Sequence, residues 1–201
     1  MNKTDVYIAS LPKDAPIGTV KCTARNEEMA SISNEAVRRE KYFVWRLLIY
    51  ALENSFGISE CDAVITKEPY GGWRASDVYV SLSHSGGAVA VAVSKSPVGI
   101  DIERVSPRIS GRMAERIMTD SERLEYSNIA DEERDRRLTE IWTAKEAIFK
   151  SLGKDSFIPR EYDTISSPVI TSRYVIDGEE YACSVAGEGA QDFSVFTDIE
   201  L

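Results

Sequence analysis

Val98-Gly-Ile-Asp-Ile-Glu103 alternates apolar and acidic side chains over its last four positions. In an extended strand successive side chains point to opposite faces, so Asp101 and Glu103 share one face while Ile100 and Ile102 fill the other. The two carboxylates then stand roughly 6.6 Å apart along the strand. That spacing lets both approach one hard cation such as Mg²⁺, which takes oxygen ligands, keeps several waters and is commonly completed by substrate phosphates. Taken alone, the same pattern also describes the polar face of a half-buried strand.

Further along, Trp142-Thr-Ala-Lys-Glu-Ala-Ile-Phe-Lys150 has helical periodicity. At about 100° per residue, Leu138, Ile141, Trp142, Ile148, Phe149 and Leu152 form one apolar stripe with Lys145 in its middle. A buried ammonium without a partner is costly, so Lys145 is expected to meet an anion, from the protein or from a ligand. Glu146 lies at the edge of the stripe and Lys150 one turn on, a pairing that would equally serve as an ordinary i,i+4 contact.

Outward from these segments the pattern alternates strands and helices in two lobes of similar design. The first has strands near Val6 to Ala9 and Val20 to Thr23, then a helix from about Asn34 to Asn54. Strands follow at Asp62 to Thr66, Val78 to Leu82 and Ala88 to Val93. The second begins with the acidic strand. Ser106-Pro107 reads as a cap followed by proline in the first turn of a helix carrying Arg108, Arg112 and Arg116 on one face, beside Ile109, Met113 and Ile117. Thr119-x-x-Glu122 is a capping box opening a short helix. The long helix runs from about Asp131 to Leu152 and stops at Gly153, and strands near Ser172 to Ile176, Glu180 to Ala186 and Phe193 to Thr197 follow. Both long helices end alike, at Ser55 to Gly57 and Ser151 to Gly153, a faint internal repeat.

Composition narrows the class. A chain of 201 residues can bury a sizeable core as one domain or two small lobes. No apolar run approaches the ~18 residues of a membrane span, and the segment from Met1 has no basic region followed by an apolar signal core, so a cytoplasmic protein is expected. Cys22, Cys61 and Cys183 are odd in number and far apart, which favours structural thiols over a disulfide framework or zinc site. His84 is the single histidine, so carboxylates are the credible metal ligands. A net charge of −9 argues against general nucleic-acid binding. His84 also sits among serines, but no G-x-S-x-G elbow occurs, and neighbouring positions do not themselves make a triad.

With Ser81-Leu-Ser-His-Ser-Gly-Gly87 upstream, these ordered segments resemble the signature of the 4′-phosphopantetheinyl transferases, specifically the larger surfactin-synthetase-activating type. The resemblance is close from Ser81 to Lys150 and loose elsewhere. It implies an α+β fold of two similar halves, residues 1–97 and 98–201, related by a pseudo-twofold axis with coenzyme A between them, in a monomer. It further implies transfer of 4′-phosphopantetheine from coenzyme A to a serine of an acyl or peptidyl carrier protein, with release of adenosine 3′,5′-bisphosphate.

On that resemblance Asp101, Glu103 and Glu146 are the Mg²⁺ ligands, with Mn²⁺ an alternative ion, and Glu146 is also the base for the serine proton. Lys150 lies near the diphosphate, and Lys145 organises the carboxylates. His84, helped by Ser83, takes the coenzyme A 3′-phosphate, and Lys41 and Arg46 match the family's basic helix. The family's Gly-Lys-Pro becomes Lys67-Glu-Pro-Tyr-Gly-Gly72, with Glu68 where the lysine would fall, which leaves that loop's contacts to Lys67 or to backbone. Carrier proteins are usually acidic, so the edge bearing Arg108, Arg112, Met113 and Arg116 is the expected docking site. Two rival readings stay open: a Mg²⁺-dependent nucleotide or pyrophosphate hydrolase using the same residues, and an inactive carrier-binding module.

Overall fold

The structure, a computed structural model, describes residues 3–106, 111–188, 192–197 and 199–201. It is a mixed α+β fold. In chain order come β1 (Thr4–Ser10), α1 (Thr23–Ala30), α2 (Glu35–Phe56), β2 (Ile65–Lys67), β3 (Trp73–Ala75), β4 (Val78–Ser85), β5 (Ala88–Ser94) and β6 (Val98–Arg104). Then follow α3 (Gly111–Ile117), α4 (Asp120–Ser127), α5 (Arg134–Leu152), β7 (Val169–Ile176), β8 (Glu179–Gly187) and β9 (Phe193–Phe196), with single 3₁₀ turns at Asp131–Glu133 and Pro159–Glu161.

Two sheets stack between two helices. The larger has the order β2-β3-β4-β5-β1-β9, antiparallel except where β9 runs parallel to β1; the smaller is β6-β8-β7. Sequence alternation along β5 explains the stacking. Val89, Val91 and Val93 pack with Leu47, Leu48 and Leu52 of α2, whereas Ala88, Ala90 and Ala92 face Ile100, Ile102 and Val185 of the smaller sheet. Small side chains on that face let the second sheet close in, and bulkier ones on the other fill the space beneath a helix. The far face of the smaller sheet is covered by α5.

Helix ends follow their local chemistry. Asn34 caps α2 by accepting from the N–H groups of Ala36 and Val37, and Gly57 ends it at φ 66°. Gly153 ends α5 at φ 58°, a left-handed conformation that glycine adopts without penalty. The capping box is present, Thr119 and Glu122 each bonding the other's backbone N–H.

Two expectations need correction, and one strand went unforeseen. Val20 to Thr23 is no strand: Asn26 takes both backbone groups of Val20, accepting from its N–H at 3.0 Å and donating to its carbonyl at 2.6 Å, and α1 starts at Thr23. Trp73–Ala75 forms a strand that the pattern does not reveal. Leu152, expected on the buried stripe, is 54% exposed and lines an open cavity at the last residue of α5. The proposed cap at Ser106-Pro107 and Arg108 falls largely outside the described residues.

Candidate active site

Gly99 sets the geometry. A Cβ there would stand 1.9 Å from the Ala147 carbonyl oxygen and 2.6 Å from the Ser151 backbone nitrogen, so β6 lies directly on α5 only because this position has no side chain. The approach brings Asp101 against Lys150. Lys150 Nζ donates to Asp101 Oδ1 at 2.6 Å and to the Ile100 carbonyl at 3.2 Å, and lies 3.7 Å from Glu146 Oε2. Ser83 Oγ donates to Asp101 Oδ1 at 2.7 Å, and Ser85 Oγ to Glu103 Oε2 at 2.5 Å.

This cluster carries more negative charge than Lys150 neutralises. Burial, and next the charge of Asp101, push Glu146 up to about 7. Burial also raises Glu103, with Asp101 adding to it against the Ser85 hydrogen bond. Lys150 responds in the opposite sense: burial works against its charge, but Asp101 and Glu146 outweigh it and hold the ammonium above the ordinary lysine value.

Among the described residues no three His, Cys, Asp or Glu side chains already converge as ligands of one ion. The donors nevertheless suit a hard divalent cation. All are carboxylates, Asp101 is 3% exposed with its Oδ2 lacking a hydrogen-bond partner, and added positive charge would relieve the crowding that raises Glu103 and Glu146.

Lys150 also lines a cavity of about 460 Å³, together with Arg25, Glu28, Lys41 and His84. His84 Nδ1–H donates to Glu40 Oε2 across 3.0 Å, which fixes the ring against α2. Lys41 Nζ pairs with Glu28 Oε1 at 2.7 Å, and Arg25 donates to Glu28 Oε2 at 2.8 Å and to the Lys41 carbonyl at 2.6 Å. Arg25 is 3% exposed, and its guanidinium carbon lies 5.3 Å and 5.9 Å from the ring centroids of Trp45 and Trp73. Tyr70, Gly71, Gly72, Leu152, Gly153 and Lys154 line the cavity too, with Gly153 against the Tyr70 ring.

The remaining expected site residues lie elsewhere. Ser83 and His84 occupy opposite faces of β4, so Ser83 is buried toward β6 and does not line the cavity. Arg46 is exposed, off the cavity wall. Lys67 lies over Trp73, with Nζ 5.5 Å from its ring centroid, and Glu68 approaches Arg74 to 3.7 Å, so the loop faces the cavity through residues 70–72 instead.

Lys145 meets a protein anion, but not one of the cluster's carboxylates. It is fully buried, 2.7 Å from Glu122 Oε2, and also donates to the carbonyls of Pro159 and Tyr162. Glu122 Oε2 further accepts from Thr119 N–H at 2.8 Å, and its Oε1 from Thr164 N–H and Oγ1 at 2.9 Å and 2.8 Å. Of the docking edge, Arg116 is exposed; Arg108 and the side chains of Arg112 and Met113 lie outside the described residues.

Sequence reasoning missed Arg25, Glu28 and Glu40. The first two are three apart on α1, a helix that the sequence reading did not assign.

Residues 97–194 match the model of the 4′-phosphopantetheinyl transferase superfamily. The chain is similar to 4′-phosphopantetheinyl transferase gsp of Aneurinibacillus migulanus, 37% identical over 83 residues, 41% of this chain and 35% of that protein. It is 34% identical to 4′-phosphopantetheinyl transferase Sfp of Bacillus subtilis (strain 168) over 86 residues, 41% of this chain and 37% of the relative. With 4′-phosphopantetheinyl transferase ffp of Bacillus subtilis it shares 28% over 114 residues, 54% of this chain and 49% of the relative. The matches thus span a third to a half of the length of these curated relatives. The segment similar to the 4′-phosphopantetheinyl transferase superfamily holds Asp101, Glu103, Glu146 and Lys150.

Proposed function

We propose that this chain transfers the 4′-phosphopantetheine moiety of coenzyme A to a serine hydroxyl of an acyl or peptidyl carrier protein. The observation that carries this reading is the juxtaposition, through Lys150, of a crowded carboxylate cluster with a cavity that Arg25, Lys41 and His84 also line. A substrate with a diphosphate at one place and a further phosphate at another suits such a cavity.

The reaction asks a weak nucleophile to attack a charged phosphorus. A bond forms between the carrier serine oxygen and the phosphorus attached to pantetheine, and the bond from that phosphorus to the bridging oxygen breaks, releasing adenosine 3′,5′-bisphosphate. Glu146, held near 7, is suited to accept the serine proton at neutral pH. Lys150 supplies a fixed positive charge beside the diphosphate, where charge shifts during displacement. His84 and Lys41, with Arg25 behind them, hold the 3′-phosphate end, and Tyr70 to Gly72 flank the adenosine.

Asp101, Glu103 and Glu146 would hold Mg²⁺, with Mn²⁺ an alternative. When bound, it supplies charge neutralisation for the diphosphate oxygens. Lys145 touches no substrate: it anchors α5, the helix that carries Glu146 and Lys150, to Glu122 and to the carbonyls of Pro159 and Tyr162. Residues 1–97 and 98–201 form the two halves of the proposed pseudo-twofold arrangement. The matching glycine-terminated helices α2 and α5, each backing a sheet, support this, although β9 returns to the first sheet. We also place the enzyme in the cytoplasm as a monomer, with the carrier docking along Arg108, Arg112, Met113 and Arg116. No helix among the described residues is long and apolar enough to cross a membrane.

The test is intact mass spectrometry of an apo acyl carrier protein incubated with this protein and coenzyme A, with and without Mg²⁺. A Mg²⁺-dependent gain of one phosphopantetheine on the carrier is expected. Consumption of coenzyme A with no gain across fatty-acid and peptidyl carriers would replace the reading with hydrolysis, and intact coenzyme A with carrier binding would replace it with a binding module.

A further inference from the structure

Among the described strands β6 is an edge of its sheet, paired with β8 on one side only. Its outward N–H groups therefore need partners, since buried backbone donors left unpaired are costly. Three serines of β4, at alternate positions and so on one face, supply them. Ser81 Oγ accepts from Ile100 N–H at 2.9 Å, Ser83 Oγ from Ile102 N–H at 3.1 Å and Ser85 Oγ from Arg104 N–H at 3.4 Å. The seam between the two sheets is thus stitched by hydroxyls.

A hydroxyl that accepts from a backbone N–H keeps its own hydrogen to donate. Ser83 gives that hydrogen to Asp101 Oδ1 and Ser85 gives its to Glu103 Oε2, whereas Ser81 touches neither carboxylate. Asp101 Oδ1 also receives Lys150. One oxygen of this buried carboxylate is therefore doubly engaged, and the other, Oδ2, is buried without a hydrogen-bond partner among the described residues.

We propose that Ser83 is a positioning residue for a divalent cation. Together with Lys150 it occupies Asp101 Oδ1 and fixes the carboxylate's rotation, so that Oδ2 is reserved for the ion. Ser85 does the same for Glu103 through Oε2. This rests on the reading of Asp101, Glu103 and Glu146 as ligands. It also assigns Ser83 a task on the opposite face of β4 from the coenzyme A contact expected of it.

The experiment uses the purified full chain and Mn²⁺ alone, with free ion followed by electron paramagnetic resonance and folding followed by thermal melts. Outer partners of metal ligands typically contribute 10- to 100-fold in affinity. Ser83→Ala is expected to weaken Mn²⁺ binding by about tenfold, and Ser83→Thr, which keeps the hydroxyl, to restore most of it. Ser81→Ala is the matched control. It removes the same kind of seam bond and should lower the melting temperature comparably while leaving Mn²⁺ affinity unchanged. If the wild type binds Mn²⁺ in a manner that Asp101→Ala abolishes, yet Ser83→Ala binds it as the wild type does, the positioning role is overturned and the metal reading survives. If wild type and Asp101→Ala are indistinguishable, the metal reading falls and takes the positioning role with it.

Discussion

Lys145 and Lys150 sit five positions apart on one helix and both meet carboxylates, yet their surroundings differ in kind. Lys145 is sealed: it and Glu122 are fully buried, and every oxygen of Glu122 and several donors around it are matched. Lys150 is partly open, borders a cavity and stands among carboxylates that outnumber it, one with an unpartnered oxygen. A satisfied buried pair holds a structure in place. An unsatisfied, charge-crowded group beside a cavity is prepared for something to arrive, which is why perturbed groups in clefts mark functional sites.

The largest expected effect tests the sealed side. Glu122→Ala would strand a buried ammonium and should cost about 3–5 kcal/mol of stability, measured by urea unfolding. The fraction that remains folded should still modify carrier protein at close to the wild-type rate. A stable but inactive variant would erase the distinction between the two lysines.

Glu146→Gln tests the open side and should do the reverse. Transfer is expected to fall about 100-fold, the lower range for loss of a general base, equivalent to about 2.7 kcal/mol of barrier. Because the change removes one of several crowded negative charges, the melting temperature should hold or rise. Retention of a tenth of the rate or more would remove Glu146 from the catalytic group.

The third prediction asks whether the same contrast holds on β4. His84 is partly exposed at the cavity and oriented by Glu40. His84→Ala should raise KM for coenzyme A about tenfold, as expected for one hydrogen bond to a charged group, with kcat nearly unchanged in a steady-state assay. An unchanged KM would take His84 out of substrate binding.

The smallest effect is on acid stability. Burial pushes the Glu122 carboxyl up, but Lys145 and the N–H groups of Thr164 and Thr119 outweigh it and hold it below the ordinary value of 4.5. A group with a depressed folded pKa contributes stability above its unfolded value and loses it as pH falls through the folded one. Stability should therefore be full above pH 4.5 and decline below it. In Glu122→Gln this part of the decline should vanish, as read from urea midpoints across an acid pH series.

What the sequence made legible was local. Alternation separated Asp101 and Glu103 from Ile100 and Ile102, helical periodicity put Lys145 inside the apolar stripe, and the capping box and the two helix-ending glycines appear where their residues require. What was not legible depends on partners far away in the chain. The demand of Lys145 for an anion could be read, but not that the capping-box Glu122 would answer it, because the meeting of α4 with α5 has no local signature. Arg25 reads as a surface cation until Trp45, Trp73 and the Lys41 carbonyl close around it. Ser83 was within reach: adjacent residues of a strand cannot serve one face, so Ser83 and His84 were always going to part.

The seam between the sheets has one more consequence. Strands joined by main-chain hydrogen bonds share a grammar that almost any residue satisfies, so their union survives most substitutions. At Ser81, Ser83 and Ser85 the union is spelled in side chains. Each stitch is therefore separately heritable, and the alignment of acidic strand to cavity wall can be loosened one codon at a time, a form of tunability that a backbone ladder does not offer.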